Sequence, residues 1–134
     1  MKQIKDIVIA VDFDGTLCED KYPDIGIPTD TFYNIRHYKE LGATLILNTC
    51  RNGELLRAAV EWCKRRGLTF DYVNENAPSR IKQYGGDTRK ISADLYIDDK
   101  AITPCEFSER TKSAIQFAFA LAGGVFRCRN ISRQ

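Results

Sequence analysis

The sequence lacks the cysteine and histidine patterns that mark disulfide-bonded and zinc-binding proteins. It has one histidine, and its five cysteines are widely spaced, with no C-x-x-C pair. An odd number of scattered cysteines argues against a disulfide framework and against a zinc site. We therefore expect a chain that folds without such cross-links and resides in a reducing cytoplasm.

Neither sign of charge is in large excess. Twenty lysines and arginines stand against eighteen acidic residues, which gives a net charge of +2. So small an imbalance argues against nucleic acid or an anionic membrane as the default partner. Charge alone therefore identifies no ligand.

Long apolar runs are also missing. Only the five apolar residues 7–11 follow the N-terminal segment before acidic residues begin, which is too short for the apolar region of a signal peptide. The longest later stretch, residues 114–126, is interrupted by Gln116 and falls well short of the ~20 residues that a spanning helix needs. We expect no membrane partner.

What remains is the composition of an ordinary globular domain. The chain has 134 residues, of which 43% are hydrophobic and 28% charged. A chain of this size buries roughly two-thirds of the surface that it exposes when unfolded, so it needs no metal or disulfide to hold its core together. We predict one domain over residues 1–134, with no room for a second lobe.

Apolar strand patterns alternate with helix patterns along the chain. The four strongest strand patterns cover residues 7–11, 43–47, 68–73 and 94–97. Apolar residues at helical spacing cover residues 31–41, 54–66 and 107–121. This alternation predicts an α/β fold, in which helices flank an open, mostly parallel, Rossmann-like sheet as a three-layer α/β/α sandwich.

Two segments have weaker patterns. Residues 74–90 are polar and rich in turn formers, which predicts a loop with one helical turn near residues 80–84. Residues 124–128 are predicted to form a last short strand before a basic tail.

Polar side chains follow three of the predicted strands at the point where each strand ends. Asp12 and Asp14 follow the first strand, Thr49 follows the second, and Asp98 and Asp99 follow the fourth. Residues i and i+2 of a strand share a side, and the carboxyl ends of parallel strands border one crevice. We therefore expect these side chains to meet in one pocket.

A group of up to four carboxylates indicates a metal site. Such a group is costly unless a divalent cation lies among its members. The donors at this site are all oxygens, with no histidine or cysteine among them, which favours the hard cation Mg²⁺. We expect Asp12, Asp14, Asp98 and Asp99 to bind Mg²⁺, which keeps open positions for the oxygens of a phosphorylated partner.

Further residues fit the binding of phosphate. Thr49 offers a hydroxyl, and the backbone N–H groups of Cys50 and Arg51 lead into a predicted helix, whose N-terminus favours anions. Lys90 offers a cation just before the fourth strand. Together with a carboxylate nucleophile, these residues predict chemistry through an aspartyl-phosphate.

These motifs resemble the four motifs of the haloacid dehalogenase superfamily of phosphohydrolases, in the same order. They are the run Asp-Phe-Asp-Gly-Thr at residues 12–16, Thr49, a lysine, and the pair Asp98 and Asp99. The resemblance extends from residue 6 to about residue 100. It implies a phosphatase-type enzyme that hydrolyses phosphoric monoesters.

The resemblance also implies a role for each site residue. Asp12 attacks the phosphorus in line, and Asp14 protonates the leaving oxygen and then activates water. Mg²⁺ is bound by Asp12, by the backbone carbonyl of Asp14 and by Asp98, with Asp99 beside it or ligating in turn. Thr49 and the third-motif lysine hold the phosphoryl group. Two lysines precede the fourth strand, and we choose Lys90, which lies closer to it, over Lys82 in the polar loop.

Members of this superfamily usually carry a cap domain that closes the site, and this sequence has no room for one. Residues 17–28 can form no more than a flap. By resemblance, capless members form homo-oligomers in which a neighbour serves as a lid, or they accept large substrates. A sugar phosphate, a nucleotide and a polynucleotide 3′-phosphate are all compatible with the sequence, and the near-neutral charge favours a small metabolite.

A second hypothesis belongs to another functional class. A regulatory or non-catalytic module, akin to receiver domains, also holds a phospho-aspartate beside Mg²⁺, a threonine and a lysine. Receivers lack a second carboxylate two residues after the nucleophile, because such a group hastens hydrolysis. The presence of Asp14 therefore favours the hydrolase.

Overall fold

The computed structural model describes residues 2–122, and the described residues up to Asp99 form an α/β unit. Four parallel strands form one open sheet in the order β3-β2-β1-β4. After a short 3-10 turn at Ile4–Asp6, the strands are β1 (Val8–Val11), β2 (Thr44–Leu47), β3 (Tyr72–Val73) and β4 (Leu95–Ile97). The predicted α/β fold with a parallel sheet is confirmed.

The central strand β1 is buried on both faces, as its continuous apolar sequence requires. Ile9 and Val11 point to the first face, and Val8 and Ala10 point to the second. The first face carries the larger core, which includes Phe13 and the β2 side chains at alternating positions. Both faces therefore need a covering layer.

Two helices cover the first face. They are α1 (Asp30–Glu40) and α2 (Gly53–Arg65). Phe32 of α1 and Trp62 of α2 meet edge to face with their ring centroids 5.4 Å apart, and Trp62 meets Phe13 at 5.7 Å in the same way. This aromatic group joins both helices to the residue that follows Asp12.

A third helix, α3 (Pro78–Tyr84), lies between β3 and β4 in the chain. Its Arg80 binds Asp94 at the start of β4, and Arg80 and Tyr84 line a cavity of about 450 Å³ with Ile91 and Tyr96. The sequence predicted only one helical turn here. No residue of α3 is buried, so the apolar spacing that reveals a helix is absent, and Pro78 in the first turn is the remaining signal.

Strand β3 is shorter than predicted. Only Tyr72 and Val73 pair with β2, whereas the apolar pattern covers residues 68–73. Leu68 is fully buried immediately after α2 and belongs to the core without joining the sheet. Burial and strand pairing give the same apolar signal in a sequence, which explains the difference.

A second compact unit begins at Lys100, and the structure describes its residues 100–122. It contains α4 (Pro104–Leu121), which begins earlier than the predicted residue 107. Thr103 and Glu106 form a reciprocal capping box that fixes this start. The single domain over residues 1–134 stays a prediction, and the predicted strand 124–128 lies outside the described residues.

Among the described residues, no helix has the length and apolar content needed to cross a membrane.

Candidate active site

The ends of the strands meet along one edge of the sheet. The backbone N–H of Asp12 donates to the Ile97 carbonyl of β4 at 2.9 Å, and the N–H of Asn48 donates to the Val11 carbonyl of β1 at 2.8 Å. The N–H of Asn74 continues the ladder to the Leu47 carbonyl at 2.8 Å. The residues just after each strand are therefore held side by side, as the sequence predicted.

Three of the predicted ligands form what we call the acid cluster: Asp12, Asp98 and Asp99. Each offers a carboxylate oxygen, and these oxygens all lie within 4.8 Å of one another. Asp12 is partly buried and the other two are exposed. Carboxylates from the ends of β1 and β4 are thus brought together, as predicted.

The environment of Asp12 disfavours its charge. Burial, the largest cause, together with the neighbouring carboxylates of Asp98, Asp99 and Asp14, raises the pKa of Asp12 to about 6. A hydrogen bond from the Phe13 backbone acts in the opposite direction. A cation among these oxygens would favour the ionised form, so the donor set and its electrostatics fit a hard divalent ion.

Two residues next to the aspartates shape the cluster. The buried hydroxyl of Thr16 lies 3.5 Å from an oxygen of Asp12 and accepts the backbone N–H of Asp99 at 3.0 Å, so it links β1 to β4. Gly15 has a φ of +77°, and a Cβ there would collide with the carboxylate of Asp99. Sequence reasoning gave Thr16 no role, because its partner is 83 residues away.

Asp14 stands apart from the acid cluster, since its carboxylate forms a bidentate ion pair with Arg51. Nε of Arg51 lies 2.8 Å from one oxygen of Asp14, and Nη2 lies 2.7 Å from the other. The Arg51 side chain is only 1% exposed. Hydrogen bonding to Asp14 raises the pKa of Arg51, so the guanidinium stays charged.

Two more N–H groups of Arg51 donate to the flap, which we define as residues 17–28. Nη1 donates to the Pro23 carbonyl at 3.0 Å, and Nη2 donates to the Asp24 carbonyl at 2.8 Å. The guanidinium also lies over the rings of Phe13, 5.0 Å from its centroid, and Tyr22, 5.2 Å from its centroid. Backbone bonds join the two ends of the flap: the N–H of Glu19 donates to the Ile27 carbonyl, and the N–H of Thr29 donates to the Leu17 carbonyl.

Thr49 lies between two strand ends and is oriented from both sides. Its backbone N–H donates to the side-chain oxygen of Asn74 at 2.8 Å, and its hydroxyl accepts the backbone N–H of Arg51 at 3.1 Å. The Arg51 N–H, predicted to bind phosphate, is therefore engaged by Thr49. Cys50 is exposed beside them. The sequence analysis gave Asn74 no role. Its φ of 52° lies in the left-handed region, which asparagine tolerates better than most residues.

The two candidate lysines lie in the chain between β3 and β4. The Lys90 ammonium lies over the Tyr96 ring, 5.7 Å from its centroid, and lines the cavity described above. Lys82 is exposed on α3. Neither ammonium forms an ion pair with the acid cluster within residues 2–122.

Asn76 orders the loop that carries Lys90. This side chain is 3% exposed, and its amide nitrogen donates to the Asp87 carboxylate and the Thr88 carbonyl at 2.7 and 2.9 Å. Its oxygen accepts the N–H of Ser92 at 2.6 Å. A buried amide that uses both ends in this way holds the loop fixed ahead of β4.

A solved structure supplies a relative of this chain. No family model matches the chain, and no curated protein matches it. The solved structure, of a conserved protein from Bacteroides thetaiotaomicron, is 38% identical, and the match covers 84% of this chain and 94% of that one with a TM-score of 0.64. Because identity of this size extends over most of both chains, the protein belongs to the same family as that conserved protein from Bacteroides thetaiotaomicron.

Proposed function

We propose that this protein is a Mg²⁺-dependent phosphomonoester hydrolase of the haloacid dehalogenase type, which acts through an aspartyl-phosphate on Asp12. The observation that carries the proposal is the acid cluster, in which Asp98 and Asp99 from the end of β4 meet Asp12 at the end of β1. The second aspartate of the motif, Asp14, lies two residues after the nucleophile with its carboxylate held by Arg51.

The acid cluster fits Mg²⁺ because its donors are all carboxylate oxygens and lie close together. Asp12, Asp98 and Asp99, with the backbone carbonyl of Asp14, would hold the ion. When bound, Mg²⁺ offsets the negative charge of the cluster and of the phosphoryl oxygens.

The first half of the proposed reaction forms the intermediate. A carboxylate oxygen of Asp12 attacks the phosphorus, and the bond from phosphorus to the leaving oxygen breaks. For this step Asp14 has to be protonated against its ion pair with Arg51, and it gives that proton to the leaving oxygen, so the alcohol leaves neutral. The hydrogen bond from the Asp12 N–H to Ile97 fixes the nucleophile against β4 while this occurs.

The second half regenerates the enzyme. Water attacks the phosphorus of the aspartyl-phosphate, and Asp14 takes the proton from that water. The bond between phosphorus and the Asp12 oxygen breaks, which releases inorganic phosphate and returns Asp12 to the carboxylate form.

Thr49 and the residues around it are proposed to hold the phosphoryl group. Because the Thr49 hydroxyl already accepts the Arg51 N–H, its own hydrogen is directed elsewhere and can donate to a phosphoryl oxygen. The N–H of Cys50 and the ammonium of Lys90 are the other proposed contacts. Four of the five N–H groups of the Arg51 side chain bind Asp14 and the flap, so we assign it no contact with phosphate.

The proposed substrate is a phosphorylated small metabolite in the cytoplasm. The odd number of scattered cysteines in the sequence supports a reducing compartment. The flap spans too few residues for a cap domain, so either a large substrate or a second copy of the chain would complete the site.

Phosphate release from p-nitrophenyl phosphate tests the proposal. We expect hydrolysis that needs Mg²⁺, stops with EDTA, and is lost in Asp12→Asn. Asp94→Asn is the matched control, because Asp94 is a strand-flanking carboxylate outside the acid cluster. Full activity in Asp12→Asn would refute the proposal, and an aspartyl-phosphate that persists for minutes would favour the receiver-like module instead.

A further inference from the structure

We propose that Arg51 is a positioning residue that fixes the carboxylate of Asp14 and anchors the flap to it, so that the flap and the acid-base group form one unit. This inference rests on the proposed hydrolase function. It assigns to Arg51 a role other than phosphate binding and joins the flap to the chemistry.

The fixed orientation of Asp14 follows from how the guanidinium is used. Two parallel bonds of 2.8 and 2.7 Å define both the distance and the plane of the carboxylate. A single lysine ammonium would define only a distance. Because both carboxylate oxygens are held, Asp14 has little freedom to rotate.

Two further N–H groups of Arg51 anchor the flap. The carbonyls of Pro23 and Asp24 accept from the same guanidinium at 3.0 and 2.8 Å. The Tyr22 ring covers it from outside and is 60% exposed, whereas Phe13 beneath it is fully buried. One side chain therefore binds the acid-base residue and three consecutive residues at the flap tip.

Burial makes this arrangement sensitive to change. A charge that is 1% exposed depends on its partners for all of its compensation. If the flap moves away, Arg51 loses its two carbonyls and the cover of Tyr22. The position of the flap and the orientation of Asp14 are therefore coupled through one group.

The reaction has two steps that need Asp14, and they differ in their sensitivity to its orientation. With p-nitrophenyl phosphate the leaving group departs without much help from an acid, so the first step tolerates a misplaced Asp14. Hydrolysis of the aspartyl-phosphate still needs a positioned base. Loss of Arg51 should therefore slow the second step more than the first.

The experiment compares Arg51→Gln and Arg51→Lys with Arg66→Gln. Arg66 is the matched control, since it also lies over an aromatic ring, Trp62 at 4.2 Å, and also donates to a backbone carbonyl, away from the site. For both Arg51 variants we expect kcat to fall about 10- to 100-fold and KM to fall with it, so that kcat/KM, which reports only the first step, changes by less than about threefold. The burst of p-nitrophenol per folded chain should rise, because the intermediate accumulates.

A purely structural role would lower kcat and kcat/KM together, because fewer chains would be active, and would leave the burst per folded chain no higher than in wild type. That result, or a kcat within about twofold of wild type, would overturn the proposal. In an Asp14→Asn background, Arg51→Gln should add almost nothing, since both act through one group. Tyr22→Ala, an exposed change that leaves the core intact, keeps the test open if Arg51→Gln does not fold, and a several-fold loss of kcat is expected.

Amide hydrogen exchange separates failure of this inference from failure of the proposed function. Residues 19–27 should lose protection in the Arg51 variants and in Tyr22→Ala, but keep it in Arg66→Gln. If wild type releases no phosphate and gives no burst, the hydrolase proposal fails, and the exchange result alone decides whether Arg51 anchors the flap. Unchanged exchange in the Arg51 variants would refute the anchor.

Discussion

Gly15 shows how closely the backbone constrains the site at the scale of single residues. Its φ of +77° is open to glycine and costly to other residues, and the place of its missing Cβ is taken by the carboxylate of Asp99. Both demands come from the sharp departure of the chain after Asp14. The glycine thus allows the residues that follow β1 and β4 to approach each other within the acid cluster.

Gly15→Ala should therefore destabilise the protein more than Gly85→Ala. Gly85 has nearly the same φ, +75°, but nothing lies within 4 Å of its added Cβ, so it isolates the cost of the conformation, about 1 to 2 kcal/mol. The further loss at Gly15 measures the displacement of Asp99. Urea unfolding of both variants gives the two values, and equal losses would contradict the contact.

The position of residues at the strand ends could be predicted from the sequence, whereas contacts between residues far apart in the sequence could not. Asp12, Asp98 and Asp99 lie together as expected, because parallel strands bring their carboxyl ends to one edge. The carboxylate of Asp14 was expected to join them and is instead paired with Arg51. The bonds of Arg51 to Asp14 cross 37 residues, and no spacing rule encodes them. The Arg51 side chain binds the flap and Asp14, and its backbone N–H binds Thr49, and neither contact follows from the sequence pattern around Arg51.

At the scale of elements, Asp94 joins three parts of the fold. Its carboxylate accepts the Val8 N–H of β1 and the Arg80 guanidinium of α3, both at 2.9 Å, and it also binds the ammonium of Lys2. The bond to Lys2, then those to Val8 and Arg80, lower the pKa of Asp94 to about 2. Asp94 thus fixes the start of the strand whose other end carries Asp98.

The lowered pKa of Asp94 predicts a pH-dependent loss in Asp94→Asn. A carboxyl whose pKa is about 2 when folded and 3.8 when unfolded stabilises the fold above pH 4, and this contribution disappears as the pH falls through 2. We expect Asp94→Asn to lose about 1 to 2 kcal/mol at pH 7, and the difference from wild type to shrink between pH 4 and pH 2.

Asp30→Asn serves as the control for that experiment, because within the described part of the chain the Asp30 side chain makes no hydrogen bond or ion pair. Its difference from wild type should stay small throughout. Urea unfolding at each pH gives these values. A constant loss in Asp94→Asn down to pH 2 would contradict the assignment.

The loop between β3 and β4 separates the two candidate lysines. Asn76 fixes the part of the loop that leads to Lys90, whereas Lys82 extends from the exposed α3. We expect Lys90→Ala to lower kcat at least about tenfold and Lys82→Ala to change it less than about twofold. Steady-state hydrolysis of p-nitrophenyl phosphate decides between them, and a larger effect at Lys82 would reverse the assignment.

Element types were more predictable than element limits. The alternation of apolar runs and helical spacing identified β1, β2, α1 and α2 because each buries a continuous stripe against the core. Helix α3 was underestimated because it buries no residue, and β3 was overextended because Leu68 is buried without pairing. Periodicity reports burial, and it fails where burial and secondary structure diverge.

At the scale of the whole molecule, a nearly neutral chain concentrates like charge at one edge of its sheet. The net charge is +2, yet Asp12, Asp98 and Asp99 meet within 4.8 Å. Evenly mixed surface charge contributes little to stability, but a partly buried carboxylate among others opposes folding. The carboxylates of the acid cluster therefore lower the stability of the protein at the site that the proposed ion would occupy.

This cost predicts opposite effects of one substitution with and without metal. In EDTA, Asp12→Asn should raise the melting temperature, because it removes a desolvated charge from beside two others. With millimolar Mg²⁺, wild type should gain about 2.7 kcal/mol at 100 times its dissociation constant, whereas Asp12→Asn should gain almost nothing. Asp94→Asn is the control: it should melt lower than wild type in EDTA and keep the full response to Mg²⁺. A wild-type melting temperature indifferent to Mg²⁺ would exclude the acid cluster as its site.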